Sequence, residues 1–443
     1  MSKTFRPWDV DQVWLLPPSV QDLVPSGHVA HFVRDTVREQ LDLTAILSCY
    51  DEERGFPPYH PTMMVALLLY GYSRGVYSSR RLAQACEERV DFMAVTAMNR
   101  PNFRTIAEFR SRHLKALGEL FVQVLKLCRS AGLVKLGHVA LDGTKIQANA
   151  SKHKAMSYQR MREAEAKLAA EVVAWFARAA AADAEEDRAH GPDRRGDEMP
   201  QWVAIKQARL DRLRAAKAAL EAEAKAEPPE DGAEPGPSTG MMNSGRPQRA
   251  PDGGPPDKAQ RNFTDPDSRI QPAKGSFIQG YNAQAAVDGQ EQIIVAQHLT
   301  TSPADCPALV PLVGAIRSNL GRNPQEVSAD AGYCSEANIE ALGRRRIDAY
   351  IATGRARHGQ TPGSGARSVK SGSRVAAMRT KLKRGGRRSR YRLRKQIVEP
   401  VFGQIKSARG FRQFLLRGFD KVKQEWAMLC TVHNLLKLAN ART

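Results

Sequence analysis

The spacing of apolar residues changes character several times along this chain. Residues 1–135 carry a helical spacing. Thr62–Tyr72 predicts an apolar helix opened by Pro61, which suits a first helical turn. Arg80–Arg89 follows Ser78 and Ser79, two N-cap types, and sets Leu82, Ala85 and Cys86 at i, i+3 and i+4. Asp91–Met98 predicts a third short helix. Thr105–Ser130 predicts a long amphipathic one, with Ile106, Phe109, Leu114, Leu117, Phe121, Leu125 and Cys128 on its stripe. Arg80, Arg81, Arg104, Arg110 and Arg112 fall on polar faces. Short helices bearing arginine suit a helix-turn-helix-like DNA-binding unit; the plainer alternative is a bundle that the arginines only solvate.

Val134–Asp142 breaks the helical period and reads as a strand that ends in a carboxylate. Met156–Ala182 and Trp202–Ala226 return to helix, Ala- and Glu-rich, and form a hairpin inserted after that strand (155–226). Eight prolines and six glycines between Glu227 and Pro256 mark a disordered linker, taken as 227–262. Gly275–Val287 and Ile293–Leu299 read as two strands of a hairpin, with Asp288–Gly289 between them. Helix over Pro303–Asn319, strand over Glu326–Asp330, helix over Ser335–Arg344 and strand over Asp348–Ala352 follow. Lys395–Arg409 and Asp420–Ala439 close the chain as helices, the last with Val422, Trp426, Leu429, Val432, Leu436 and Ala439 in helical period.

The 443 residues suit two or three domains, at about 150 residues each. With 42% apolar residues the chain can bury a core. The longest apolar run, Met63–Tyr70, is far short of the roughly 18 residues of a spanning helix, and Met1–Val10 lacks the apolar core of a secretory signal. The six cysteines form no CxxC pair, which points to reduced cytosolic thiols and away from zinc ribbons or a disulfide framework. The net charge of +20 favours a polyanionic partner, nucleic acid before acidic membrane. Fifteen Lys or Arg and no acid lie between Arg355 and Lys395, so this basic arm (355–395) is expected to be mobile alone and to order on phosphates.

Three acids stand at special places in the strand-rich half. Asp142 ends the first strand, Asp330 ends the fourth, and Glu399 lies in the helix after the basic arm. Carboxylates at neighbouring strand ends, with one from a nearby helix, can converge on two Mg²⁺ ions roughly 3.5–4 Å apart. One ion would activate water or a 3′-hydroxyl and the other stabilise the leaving oxygen. Asp265, Asp267 and Asp288 compete for such a role, but TDPDS and VDG are turn contexts in which Asp bonds its own backbone. Lys406, seven residues after Glu399, falls on the same face of a regular helix and can hold a neighbouring phosphate. Arg392, Arg394 and Lys395 can grip the same strand, with Arg387, Arg388 and Arg390 upstream; Thr144 and Lys145 either touch DNA or shape the turn after Asp142.

The stretches HVALDGTKIQANAS, FIQGYNAQAAVD, SADAGYCSEANI, VEPVFGQIKSARGFRQFLLRG and EWAMLCTVHNLLKLA resemble the DDE-type transposases of bacterial insertion sequences. SSRRLAQACEERVDFMAVTAMNRPNFRTIAEFRSRH resembles the helical N-terminal domain of the same enzymes. The resemblance implies an α/β fold: an RNase H-like mixed sheet flanked by helices (134–443), preceded by an all-α DNA-binding domain (1–133) and interrupted by a helical insertion. It implies Asp142, Asp330 and Glu399 as the catalytic and metal-binding triad, with two Mg²⁺ or Mn²⁺ ions per site. The substrates implied are double-stranded DNA, namely terminal inverted repeats and target, held in a homodimer or larger synapse within the bacterial cytoplasm, at the nucleoid. The Glu399 to Lys406 spacing matches the end of the family signature around its glutamate, and Arg392 and Lys395 fit its upstream part, while Tyr391 stands one position out of step.

Three other readings use the same residues. A related nuclease would hydrolyse DNA without joining it. A repurposed transposase would only bind DNA, but should then have lost an acid, and all three are present. A nucleoid-type basic protein needs no ordered carboxylates.

Overall fold

The computed structural model describes residues 19–50, 57–190, 201–226, 254–273, 276–354 and 371–441. Seven helices come first: α1 (Val29–Glu39), α2 (Thr44–Leu47), α3 (Pro61–Ser73), α4 (Ser79–Glu88), α5 (Val90–Thr96), α6 (Phe103–Arg112) and α7 (Leu114–Ser130). Helix α3 is apolar on all sides and is accordingly buried, packed by α1, α5 and the last helix, α14 (Phe419–Asn440). Ser78 caps α4 by accepting from Arg81 N, and Asn102 caps α6 by accepting from Arg104 N and Thr105 N. The single long helix expected over Thr105–Ser130 is two. The break falls at His113, whose φ and ψ (−104°, 15°) leave the helical region. Its ring packs on Phe109 and lies 3.0 Å from the Tyr50 hydroxyl, so tertiary contacts fix the junction.

The second half holds β1 (His138–Gln147), β2 (Ala155–Ser157), the hairpin α8 (Tyr158–His190) and α9 (Gln201–Ala226), β3 (Gln260–Asn262), β4 (Arg269–Ala273), β5 (Ser276–Asp288), β6 (Ile294–Thr300), α10 (Leu309–Leu320), β7 (Glu326–Ala329), α11 (Glu336–Arg344), β8 (Asp348–Ile351), α12 (Arg374–Gly385) and α13 (Leu393–Gly403). The main sheet runs β6-β5-β1-β7-β8, with β4 continuing the free edge of β5 beyond β6. β1 is antiparallel to β5 and parallel to β7, and β7 is parallel to β8. Helices α10 and α14 pack over β5 and β6, while α13 lies across β1, β5 and β7. This is the RNase H-like mixed sheet flanked by helices behind an all-α unit.

β1 differs from its expected extent. It does not stop at Asp142 but pairs with β5 as far as Gln147 opposite Gly280, so Asp142 is a mid-strand residue. The β5–β6 connection is longer than a two-residue turn: Gln292 takes a positive φ of 59°, and Asp288 accepts from Gln290 N and Leu136 N. The inserted hairpin has a small core of its own, Met161, Leu213 and Leu220, and Glu165 and Glu171 on α8 pair with Lys217 and Lys206 on α9. Of the expected linker, 227–253 lies outside the described residues, whereas residues 260–262 form β3 and pair with β2. Of the basic arm, 355–370 lies outside them. From Arg374 the arm is an ordered helix, because Met378 and Leu382 are buried and Glu336 caps it by accepting from Arg374 N and Val375 N. Among the described residues all six cysteines are free thiols, and no helix is long and apolar enough to cross a membrane.

The helical unit is joined to the sheet unit through a buried polar chain. Arg110, expected on a polar face, is 8% exposed and donates to the Tyr72 hydroxyl, Tyr77 O and Ser79 Oγ. Tyr72 reaches Glu425 of α14, which is fully buried and accepts from Leu415 N and Leu416 N. Burial pushes the Glu425 carboxyl up to about 7. Arg110 is therefore a structural residue. Arg110→Leu should lower the unfolding free energy by about 3 kcal/mol, measured by urea denaturation, because it strands buried polar partners. An unchanged midpoint with weakened DNA binding would return Arg110 to the DNA surface.

Candidate active site

The parallel register of β1 and β7 pairs Leu141 with Ala329, so Asp142 and Asp330 are the next residues on adjacent strands. Strands so paired lie about 4.8 Å apart, which brings the two carboxylates to one place. Asp330 leaves β7 and caps the 3-10 turn Ala331–Tyr333, its Oδ1 accepting from Gly332 N at 2.8 Å. Asp142 Oδ1 accepts from Gly143 N at 2.8 Å, and its Oδ2 takes the Arg394 guanidinium at 2.5 Å. Burial pushes the Asp142 carboxyl up to about 6; Arg394 pulls it back and the Asp330 charge adds to the rise. Burial opposes the Arg394 charge, but Asp142, Tyr391 and Asp330 together raise its pKa above the ordinary value.

Helix α13 supplies Arg394 from its first turn. Arg394, Ile397, Val398, Val401 and Phe402 form its buried side. Glu399 falls off that stripe and is exposed beside Pro400. Among the described residues no three His, Cys, Asp or Glu side chains are grouped so as to hold a metal ion. The structure thus brings Asp142 and Asp330 together and leaves Glu399 outside their grouping. Lys406 does reach the site. It lies in a π-helical turn (Gln404–Ala408), which changes the helical phase after Glu399, and its Nζ donates to Thr144 Oγ1 and Lys145 O, each at 2.8 Å.

The other expected contacts divide into two groups. Arg388, Arg390, Arg392 and Lys395 are exposed, as are Arg80 and Arg81. Arg390 also pairs with Glu326 at 3.2 Å, and Arg80 lies 5.3 Å over the Phe103 ring. Arg387 has no described side chain. Lys145 is turned inward, with Nζ on Pro303 O and Asp305 Oδ1. Asp265 and Asp267 serve α14, accepting from Gly418 N and Phe419 N, and Asp265 also takes the Tyr281 hydroxyl.

Sequence reasoning missed two features. Tyr391 and Arg394 are hydrogen-bonded and both feel Asp142 and Asp330. Their three-residue spacing on a helical turn was the available signal, masked because Arg392 and Lys395 fit the expected frame better. Asp305 stands at the same end of the sheet; the sequence pattern put it inside a helix over Pro303–Asn319, whereas it precedes the 3-10 turn Cys306–Ala308 and α10 begins only at Leu309.

Residues 249–435 match the family model described as transposase DDE domain, and residues 18–112 match a second, described as transposase domain (DUF772). The first match contains Asp330 and Glu399 and begins after Asp142, which the insertion separates from it. No curated protein matches the chain, and no solved structure does. An RNase H-like domain of the DDE class is therefore joined here to a helical transposase domain. The chain thus carries two transposase domains, consistent with a DDE-type transposase of insertion sequences.

A raised Asp142 pKa has a definite sign in stability. The folded state holds the proton more tightly than the unfolded one, so the contribution is full below about pH 4 and is lost as pH rises through 6. In metal-free buffer, the fall in melting temperature between pH 4 and 7 should be smaller in Asp142→Asn than in wild type. Parallel profiles would mean that Asp142 titrates normally.

Proposed function

We propose that this transposase cleaves DNA at the terminal inverted repeats of its element and joins the freed 3′-hydroxyl to target DNA, with Asp142, Asp330 and Glu399 as its acidic triad. The observation that carries the reading is the adjacency of Asp142 and Asp330 where the parallel pairing of β1 and β7 ends, in an RNase H-like sheet. The two aspartates fit a divalent cation: they offer hard oxygen donors, and the half-buried Asp142 carboxylate already draws a guanidinium as counter-ion. Two Mg²⁺ ions, or Mn²⁺, would supply Lewis acidity to the attacking and leaving oxygens of the phosphodiester.

The chain's own residues then have distinct tasks. Asp142 and Asp330 would hold the ions from the sheet, and Glu399 would join them from α13 once the helix meets DNA. Arg394, released from Asp142, takes a phosphate oxygen of the bound strand. Lys406 keeps α13 registered on β1 through Thr144 and Lys145 O. In each step an oxygen–phosphorus bond forms as the opposite one breaks, with no covalent protein intermediate. Exposed Arg388, Arg390, Arg392 and Lys395 bind phosphates without reading sequence, while Arg80, Arg81 and the exposed Phe103 lie on the helical unit that meets the repeats. The working form is a dimer or larger synapse on DNA, at the nucleoid.

Asp142→Asn, Asp330→Asn and Glu399→Gln should each bind end DNA normally and cut it at least about 10²-fold more slowly with Mg²⁺. Wild-type rates in all three would sink the triad. Joined products in a strand-transfer assay separate a transposase from a nuclease that stops at hydrolysis. Affinity for duplex DNA should also fall steeply with salt, and neutralising Arg388, Arg390, Arg392 and Lys395 together should flatten the slope of log K against log salt by about 3 to 4. An unchanged slope would place the phosphate contacts elsewhere.

A further inference from the structure

Asp305 has no task in the proposed triad, yet it sits at the hub of a polar network at the same end of the sheet. It follows β6 and precedes the 3-10 turn Cys306–Ala308, which its side chain does not cap. The usual reason for an Asp at that position is therefore missing. Its Oδ1 instead accepts three bonds: from Asn282 Nδ2 at 2.7 Å, Gln284 Nε2 at 2.7 Å and Lys145 Nζ at 3.0 Å. Asn282 and Gln284 are fully buried on β5, and Lys145 comes from β1. Gln284 Oε1 in turn takes the hydroxyl of Tyr333, the buried last residue of the turn that Asp330 opens.

The other carboxylate oxygen faces that same turn. A Cβ built on Gly332 would lie 3.0 Å from Asp305 Oδ2 and 3.0 Å from Asp330 Oδ1, so both carboxylates crowd the same point beside the turn. A Cβ on Gly143, the neighbour of Asp142, would meet Gln284 Nε2 at 2.2 Å and Asp305 Oδ1 at 2.9 Å. Glycine at 143 thus leaves the room that the network occupies. Asp305 touches both strands that carry the aspartates, through Lys145 on one side and Gln284–Tyr333 on the other.

We propose that Asp305 is a positioning residue of the active site: through Gln284 and Tyr333 it fixes the turn that aims Asp330, and through Lys145 it fixes β1 beside Asp142. The inference rests on the proposed function, in which Asp330 holds a divalent cation. Outer partners that orient a metal-binding carboxylate act on metal affinity as well as on rate, with losses of about 10- to 100-fold on removal. A residue that only stabilised the sheet end would change the melting temperature and leave the metal dependence alone.

The test measures three quantities on the full-length protein: Mn²⁺ binding by calorimetry, half-saturating Mg²⁺ for cleavage of end DNA, and melting temperature. Asp305→Ala should raise half-saturating Mg²⁺ at least about tenfold, weaken Mn²⁺ binding in step, and recover part of its rate at high Mg²⁺. Tyr333→Phe, which removes only the hydroxyl on Gln284, should move both metal readouts in the same direction. It decides the matter if Asp305→Ala melts below the assay temperature. Asp305→Asn keeps an acceptor for Asn282 and Gln284 but loses the charge on Lys145, and should fall between wild type and Asp305→Ala. Asp330→Asn is the control. If it loses Mn²⁺ binding while the Asp305 and Tyr333 variants keep wild-type metal dependence, the positioning role is wrong and the triad stands. If Asp330→Asn binds Mn²⁺ and cuts normally, the triad itself has failed.

Discussion

The site depends on one strand pairing. β1 and β7 run parallel in a register that sets Asp142 beside Asp330, two carboxylates whose mutual repulsion the fold must tolerate. Such a pair is unfavourable without a cation. In this structure the cation is the guanidinium of Arg394, delivered by the first turn of α13. The same helix carries Glu399. One element therefore brings both the counter-ion and the third acid of the proposed triad, and only the first is in contact with the pair. In the proposed function that arrangement would couple DNA binding to assembly of the site, since a phosphate that attracted Arg394 would also free Asp142.

The rest of the fold serves this junction. β5 and β6 make an antiparallel flank against which α10 and α14 pack, and Trp426 on α14 donates to Gln284 O. α14 also contacts α3 and α7 of the N-terminal unit, and Arg110, Tyr72 and Glu425 form a buried polar chain between the two units. The helices expected to meet DNA are thus held firmly against the catalytic sheet. The α8–α9 hairpin, by contrast, has its own core and its own ion pairs, which suits an insertion whose removal from the path between β1 and β4 leaves the sheet order unchanged.

Much of this was legible in the chain itself. Strand and helix order in the second half followed from apolar spacing, and the strand ending at Asp330 was placed within a residue. What was not legible has physical causes. A strand through Asp142-Gly143-Thr144-Lys145 looks polar because its far half faces a polar network, so periodicity ended it early. The helix break at His113 and the burial of Arg110 come from tertiary partners distant in sequence. The ordered helix α12 hides in a cationic run because only Met378 and Leu382 mark its buried side. Local spacing singled out the two aspartates as candidates but carried no information about Arg394 as their counter-ion, since that contact spans 252 positions.

The most direct measurement of whether the two aspartates share a cation is site-mapped oxidative scission. Iron(II), bound in place of magnesium, generates hydroxyl radicals with ascorbate and peroxide and breaks the polypeptide beside its ligands. Breaks close to residues 142 and 330, lost in Asp142→Asn and suppressed by excess Mg²⁺, are the expected result. Scission at neither strand, or a pattern that Asp142→Asn leaves unchanged, would contradict a shared metal site at the β1–β7 junction.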